Sequence, residues 1–146
     1  MKYAKLVQIQ KKVRLYSRIT TITLVIACIL LLLHVILRVY DVANPIIIEG
    51  VFGITVVLFI VNLVCMGLAR KQNRFAEDYF VIRIMEILNE QGIESNQFEI
   101  IDEGNYYYRV GFHNQMVDYD KLQAIIDAEV VAMCRFMKQN MRVKLI

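Results

Sequence analysis

Apolar and polar positions divide this chain sharply. Positions 19–37, between Arg18 and Arg38, hold no Asp, Glu, Lys or Arg, and positions 50–69, between Glu49 and Arg70, are equally free of formal charge. Each run is about 20 residues, and at roughly 1.5 Å per residue it covers about 30 Å, the hydrocarbon thickness of a bilayer. A soluble domain can bury one such helix. Two in succession within 146 residues predict two transmembrane spans, at about 19–40 and 46–69. The first is too long for the apolar core of a secretory signal, and His34-Val35-Ile36-Leu37-Arg38 provides no small-residue cleavage site, so span one is expected to remain. Asp41 to Pro45 reads as a tight link, with Asn44 capping the second span and Pro45 in its first turn.

Beyond position 70 the pattern changes. Phe75, Tyr79, Ile82, Met85 and Leu88 recur at helical spacing, predicting that span two runs on as a helix from about Arg74 to Gln91, ended by Gly92. Two short strands follow, Phe98 to Asp102 and Tyr106 to Phe112, with Glu103-Gly104-Asn105 as the turn between them. Asp118 caps a helix reaching to about Asn140, with Leu122, Ile125, Ile126, Val130, Met133, Phe136 and Met137 inward. Met141 to Ile146 alternates apolar with basic residues, as a strand would. The expected fold is a membrane protein: a two-helix transmembrane hairpin followed by a small α+β cytoplasmic domain of order α-β-β-α-β. Its expected parts are a basic amphipathic segment at 1–18, the hairpin at 19–69 and the cytoplasmic domain at 70–146. The run Arg70-Lys71-Gln72-Asn73-Arg74 is the one hinge candidate.

Charge sets the orientation. Lys2, Lys5, Lys11, Lys12, Arg14 and Arg18 precede the first span without an acidic residue among them, and Arg70, Lys71 and Arg74 follow the second. The link carries only Arg38, Asp41 and Glu49, so the positive-inside rule places both termini in the cytoplasm. Leu6, Ile9, Val13 and Tyr16 share one side of the basic segment. That face suits a helix lying on anionic headgroups, or one packed on neighbouring subunits. Positions 70–146 hold ten basic and twelve acidic residues, a balance that argues against a surface for duplex DNA or RNA.

Within the spans, Thr20, Thr23, Ala27, Leu30 and His34 form a small, polar stripe, matched by Thr55, Phe59, Asn62 and Met66 on the second span. Such stripes face protein or water rather than lipid. Two readings stay open: a helix–helix seam, or, in a homo-oligomer, the lining of a pore by Thr20, Thr23, Ala27, His34 and Asn62.

The inventory for catalysis is thin. His34 and His113 are the only histidines, Ser17 and Ser95 the only serines, and no Gly-rich phosphate loop or Cys/His cluster is present. Cys28, Cys65 and Cys134 stand alone, so neither a disulfide framework, a metal site nor a redox cofactor is expected. Arg109 and His113 are one residue too close for the RxxxxH core of HEPN ribonucleases, and they lie on an expected strand. The expectation is a non-enzyme.

The segment Tyr106 to His113 is the most distinctive. Alternation puts Tyr106, Tyr108, Val110 and Phe112 on a core face, and Tyr107, Arg109, Gly111 and His113 on the other. The second face combines an aromatic plate, a guanidinium, a gap and an imidazole; aromatics stack on bases and Arg pairs with phosphate. Arg142 and Lys144 share one face of the final strand and add charge if it pairs nearby. A plain solvated strand face is the competing reading.

Two spans, cytoplasmic termini, a C-terminal domain of this size and the aromatic-basic strand Tyr106 to His113 resemble the small two-span membrane effectors of type III CRISPR defence. The resemblance implies a bacterial inner-membrane protein whose cytoplasmic tails, as a tetramer, bind cyclic tetra-adenylate and trigger membrane disruption or pore opening. The candidate ligand residues are then Tyr107, Arg109, His113, Arg142 and Lys144, with membrane lipids, the chain itself and a cyclic oligonucleotide as partners. The architecture also resembles other defence-associated two-span proteins, which lack strands in their tails. A different class of function is a non-enzymatic accessory or anchor subunit of a secretion, conjugation or phage assembly. That reading expects an exposed apolar patch or an open sheet edge, for which Met141 to Ile146 is the candidate.

Overall fold

A computed structural model describes residues 3–41, 44–113, 117–137 and 140–146. Its elements are α1 (Ala4–Tyr40), α2 (Pro45–Glu90), β1 (Phe98–Asp102), β2 (Tyr107–Phe112), α3 (Tyr119–Cys134) and β3 (Arg142–Leu145). They fall into two compact units, one of residues 1–10 and 74–146 and one of residues 11–73.

The second unit is a helical hairpin of α1 and α2. Both helices are long and apolar enough to cross a bilayer, and their outward faces leave Leu32, Ile46 and Leu63 exposed. Asn44 caps α2, accepting from the Ile46 N–H through Oδ1 at 3.1 Å. Small and polar residues form the seam: Ala27, Thr55 and Asn62 are all buried. The Asn62 side-chain amide donates to the Thr20 carbonyl at 2.8 Å and to Thr23 Oγ1 at 3.4 Å. His34 meets the Ile48 carbonyl through Nδ1 at 3.2 Å, so that nitrogen carries the proton. At the link end, Arg38 and Glu49 form an ion pair at 2.7 Å.

Neither helix breaks at the ends of its apolar run. The basic segment and the charge-free stretch after it belong to one α-helix, Ala4–Tyr40. The hinge expected at Arg70 to Arg74 is unbroken α-helix. The run contains neither Gly nor Pro, and its residue types are all tolerated in a helix.

The first unit is a three-stranded sheet of order β1-β2-β3, with β1 antiparallel and β3 parallel to β2. A parallel neighbour needs a crossover, and α3 supplies it. Gly92 ends the upstream helix in a left-handed conformation (φ 81°). There the Ile93 N–H bonds the Leu88 carbonyl and the Gly92 N–H that of Asn89, while Ile93 and Leu88 are both buried. Asp118 caps α3 through Oδ1 to the Lys121 N–H. The helix stops at Cys134, six residues short of the expected Asn140, because Phe136 and Met137 bond three residues back in a tighter turn. The chain must turn there to reach β3, and Met137 and Met141 are buried beyond the turn.

Phe80, Ile84 and Leu88 of α2, Leu122, Ile126 and Met133 of α3, and Tyr108, Val110, Val143 and Leu145 of the sheet make the core. Phe80 and Tyr108 pack with ring centroids 5.5 Å apart. The first turns of α1 join this unit: Leu6 and Ile9 are buried, Tyr3 packs on Phe136, and its hydroxyl donates to Glu129 Oε1 at 2.5 Å. The face shared by Leu6, Ile9, Val13 and Tyr16 therefore parts, since Val13 and Tyr16 stay partly exposed.

The two sheet edges differ. On β3 two outward backbone groups are taken by the Gln123 side chain, which donates to the Val143 carbonyl at 2.9 Å and accepts from the Leu145 N–H at 3.0 Å. One side-chain amide thus covers the middle of the Met141–Ile146 edge. On β1 the bonds Glu103 N–H to Tyr107 O and His113 N–H to Gln97 O turn the odd-numbered residues toward β2. Phe98, Ile100 and Asp102 consequently aim their backbone groups outward.

Candidate ligand face of the sheet

Residues in register across a ladder point to the same side. Tyr107 lies opposite Arg142 and Arg109 opposite Lys144 in the parallel β2–β3 ladder. In the antiparallel ladder Arg109 lies opposite Ile101 and Gly111 opposite Glu99. The aromatic plate and three cations that stand far apart in sequence are therefore assembled on the outer face, while Tyr108 and Val110 are buried on the inner one. Arg142 and Lys144 are exposed, and Tyr107 and Arg109 partly so. Gly111 leaves a gap beside this cluster. His113 is exposed at the end of β2, four residues or about 13 Å from Arg109, and so stands apart from the other four candidates.

Electrostatics divides the cations. Arg109 Nε lies 2.6 Å from Glu103 Oε1, across the hairpin turn. Among the described residues Arg142 and Lys144 have no acidic partner. An ion pair this exposed is worth about 1 kcal/mol or less, so an anionic ligand can compete for Arg109. In the sequence Glu103 reads only as a turn residue; its reach to Arg109 depends on the hairpin register.

Tyr106, expected in the strand and on its core face, lies instead in the turn, with φ 60° following Asn105 at φ 51°. Left-handed backbone is costly for an aromatic residue. The turn is held by the Gly104 N–H to Asp102 Oδ1 at 2.9 Å, and Tyr106 is hydrogen-bonded to Glu77. Burial, followed by the charges of Asp102 and Asp78, pushes the Glu77 carboxyl above its usual range. Burial also raises the Tyr108 phenol to about 12, with Glu77 and Asp102 adding to it. These side chains lie by the turn with Gly104 and Asn105 and surround a shallow depression, on a patch acidic rather than basic.

Of the pore-lining candidates, Asn62 reaches Thr20 and Thr23 on the other helix, His34 reaches the Ile48 carbonyl and Ala27 is buried, while the Thr23 hydroxyl donates to the Ile19 and Thr20 carbonyls of its own helix. Among the described residues no group of three or more His, Cys, Asp or Glu is assembled to hold a metal ion. No protein family matches the chain, and neither a curated protein nor a solved structure shows significant similarity to it.

Proposed function

We propose that this chain is an oligomeric two-span membrane effector whose α+β unit receives a cyclic oligoadenylate, with cyclic tetra-adenylate the candidate ligand. The observation that carries this reading is the β2–β3 register, which sets Tyr107 beside Arg142 and Arg109 beside Lys144. A base stacks on the Tyr ring, and the phosphates take the guanidinium and ammonium groups. One protomer offers a single small cluster; a tetramer repeats it with the symmetry of a four-membered ring.

In this reading α1 and α2 cross the bacterial inner membrane with both termini cytoplasmic. The exposed Leu32, Ile46 and Leu63 then meet lipid. Both helices contribute residues to each unit without a break, so a change in the packing of the α+β unit travels along both. The ligand drives that change only by binding one arrangement more tightly than the other. Disruption or pore opening follows when the seam exchanges its contacts within the hairpin for contacts with water or a neighbouring copy.

The test is calorimetric titration of the full-length protein in detergent with cyclic tri-, tetra- and hexa-adenylate, alongside light scattering for subunit number. Tight binding of one ring size by an oligomer supports the receptor; absence of binding by the folded oligomer contradicts it. A second reading, an accessory subunit holding a protein partner, is favoured by the outward backbone groups of β1. Cross-linking in the native membrane to a single partner, without nucleotide binding, is its signature.

A further inference from the structure

The bond from Asn62 to the Thr20 carbonyl at 2.8 Å and that from His34 to the Ile48 carbonyl at 3.2 Å fix one antiparallel register at two levels of the hairpin. That register sets Arg18 level with Val64, and Lys12 level with Arg70. The charge-free runs of the two helices are therefore out of step by about six residues, or about 9 Å. At each end one helix carries a charge where the other is still apolar.

The two ends treat that mismatch differently. At the link end Glu49, level with Leu33, is answered within the chain by Arg38 at 2.7 Å. At the other end Arg18 and Arg14, level with Val64 and Leu68, make no ion pair or hydrogen bond among the described residues. Both are exposed on the face turned away from the seam. Leu15 (55% exposed) and Ile22 (59%) share that face, three residues before and four after Arg18. A cation flanked by outward apolar side chains fits the boundary between acyl chains and headgroups rather than open water.

We infer that Arg18, with Arg14 beside it, is a binding site for the phosphate of an anionic phospholipid in the leaflet facing the α+β unit. The guanidinium supplies paired donors to phosphate oxygens. The choice of an anionic over a zwitterionic lipid rests on the surrounding charge: Lys11 and Lys12 lie about two turns further out, with Arg70 level with Lys12. No acidic residue occurs between Ala4 and Tyr40 or between Gly50 and Ala76. This inference depends on the membrane-spanning reading above.

The experiment reconstitutes the full-length protein in vesicles of equal phosphatidylcholine and phosphatidylglycerol, extracts it into nanodiscs, and measures by mass spectrometry which lipids are retained. Phosphatidylglycerol should be enriched around the wild-type protein. Arg18→Gln should weaken that preference by about fivefold, Arg18→Lys should keep most of it, and Lys5→Gln, in the other unit, should leave it unchanged. Wild-type protein without enrichment overturns the inference whatever the variants do. So does undiminished enrichment in Arg18→Gln. Dissociation of the oligomer by Arg18→Gln without lipid enrichment overturns it in favour of an acidic partner from a second copy. A wild-type chain that alkaline carbonate strips from the vesicles contradicts the membrane reading itself, whereas an inserted chain without preference contradicts this inference alone.

Discussion

Arg109 on β2 and Lys144 on β3 stand opposite one another in a parallel ladder, so two cations from distant parts of the chain share one face of the sheet. Like charges placed side by side repel. Glu103, 2.6 Å from Arg109, offsets that repulsion in the unliganded protein. On the proposed account the phosphates of the ligand take over this task. Arg109→Ala and Lys144→Ala should each weaken cyclic tetra-adenylate binding about tenfold or more, the scale of a hydrogen bond to a charged group. Glu103→Gln should tighten binding severalfold by freeing Arg109. Calorimetric titration of the three full-length variants checks the pattern; unchanged affinity in all of them moves the site elsewhere.

Tyr3 and Arg83 converge on one carboxylate oxygen of Glu129, at 2.5 and 2.9 Å, tying the first turn of α1 to α2 and α3. The Arg83 and Glu129 side chains are only 13% and 15% exposed. Tyr3→Phe and Glu129→Gln should each lower stability by about 1–3 kcal/mol, and the double variant by less than their sum, because they share the network. Thermal unfolding of the full-length protein measures all three.

The same network carries a pH signature. Burial, reinforced by Glu129, raises the Tyr3 phenol to about 12 from an ordinary value of 10.0. A folded-state value above the unfolded one contributes stability that is fully present below pH 10. That stability is lost as pH rises through about 12. Wild-type protein should lose more stability across this window than Tyr3→Phe, as denaturation at stepped alkaline pH will read.

Glu77 gives the complementary case at the acid end. Its carboxyl is raised by burial and then by Asp102 and Asp78, so its ionised form opposes folding at neutral pH. Glu77→Gln, which still accepts from Tyr106, should therefore stabilise the protein at pH 7. The difference from wild type should close below about pH 4, where the wild-type carboxyl is protonated in both states. An equal gap at both pH values would contradict the assignment.

Gln123 covers two outward backbone groups of β3 and is held by a bond from its amide to Asp127 Oδ1 at 2.8 Å. Gln123→Leu strands the Val143 carbonyl and the Leu145 N–H at a part-buried edge. It should cost about 1–3 kcal/mol and raise the tendency to aggregate. Melting and light scattering on the full-length variant test both effects.

The features legible in the sequence are those that neighbouring residues determine. The two charge-free runs, the Asn44 and Asp118 caps, the Gly92 stop and the limits of β1 all rest on local spacing or turn chemistry. Alternation also separated Arg109 and Tyr107 from the core face that holds Tyr108 and Val110. What the sequence could not show depends on contacts between distant segments. The parallel pairing of β3 with β2 joins Arg142 and Lys144 to the cluster and leaves His113 outside it. The burial of Leu6 and Ile9 withdraws half of an apparently amphipathic face into the α+β unit. Gln123, outside the apolar face of α3, has no sequence signal for its bonds to β3. Tyr106 falls in the turn rather than the strand because Asn105 and Tyr106 both take left-handed backbone, which residue type predicts for Asn and not for Tyr.

The central claim joins ligand capture on the sheet to an effect of the hairpin on the membrane, and dye release from sealed liposomes tests both at once. Full-length protein should release the dye on addition of cyclic tetra-adenylate, and the Lys144→Ala protein should need at least about ten times more ligand for the same release. Release of equal extent without the nucleotide, or none at saturating nucleotide, would contradict the account.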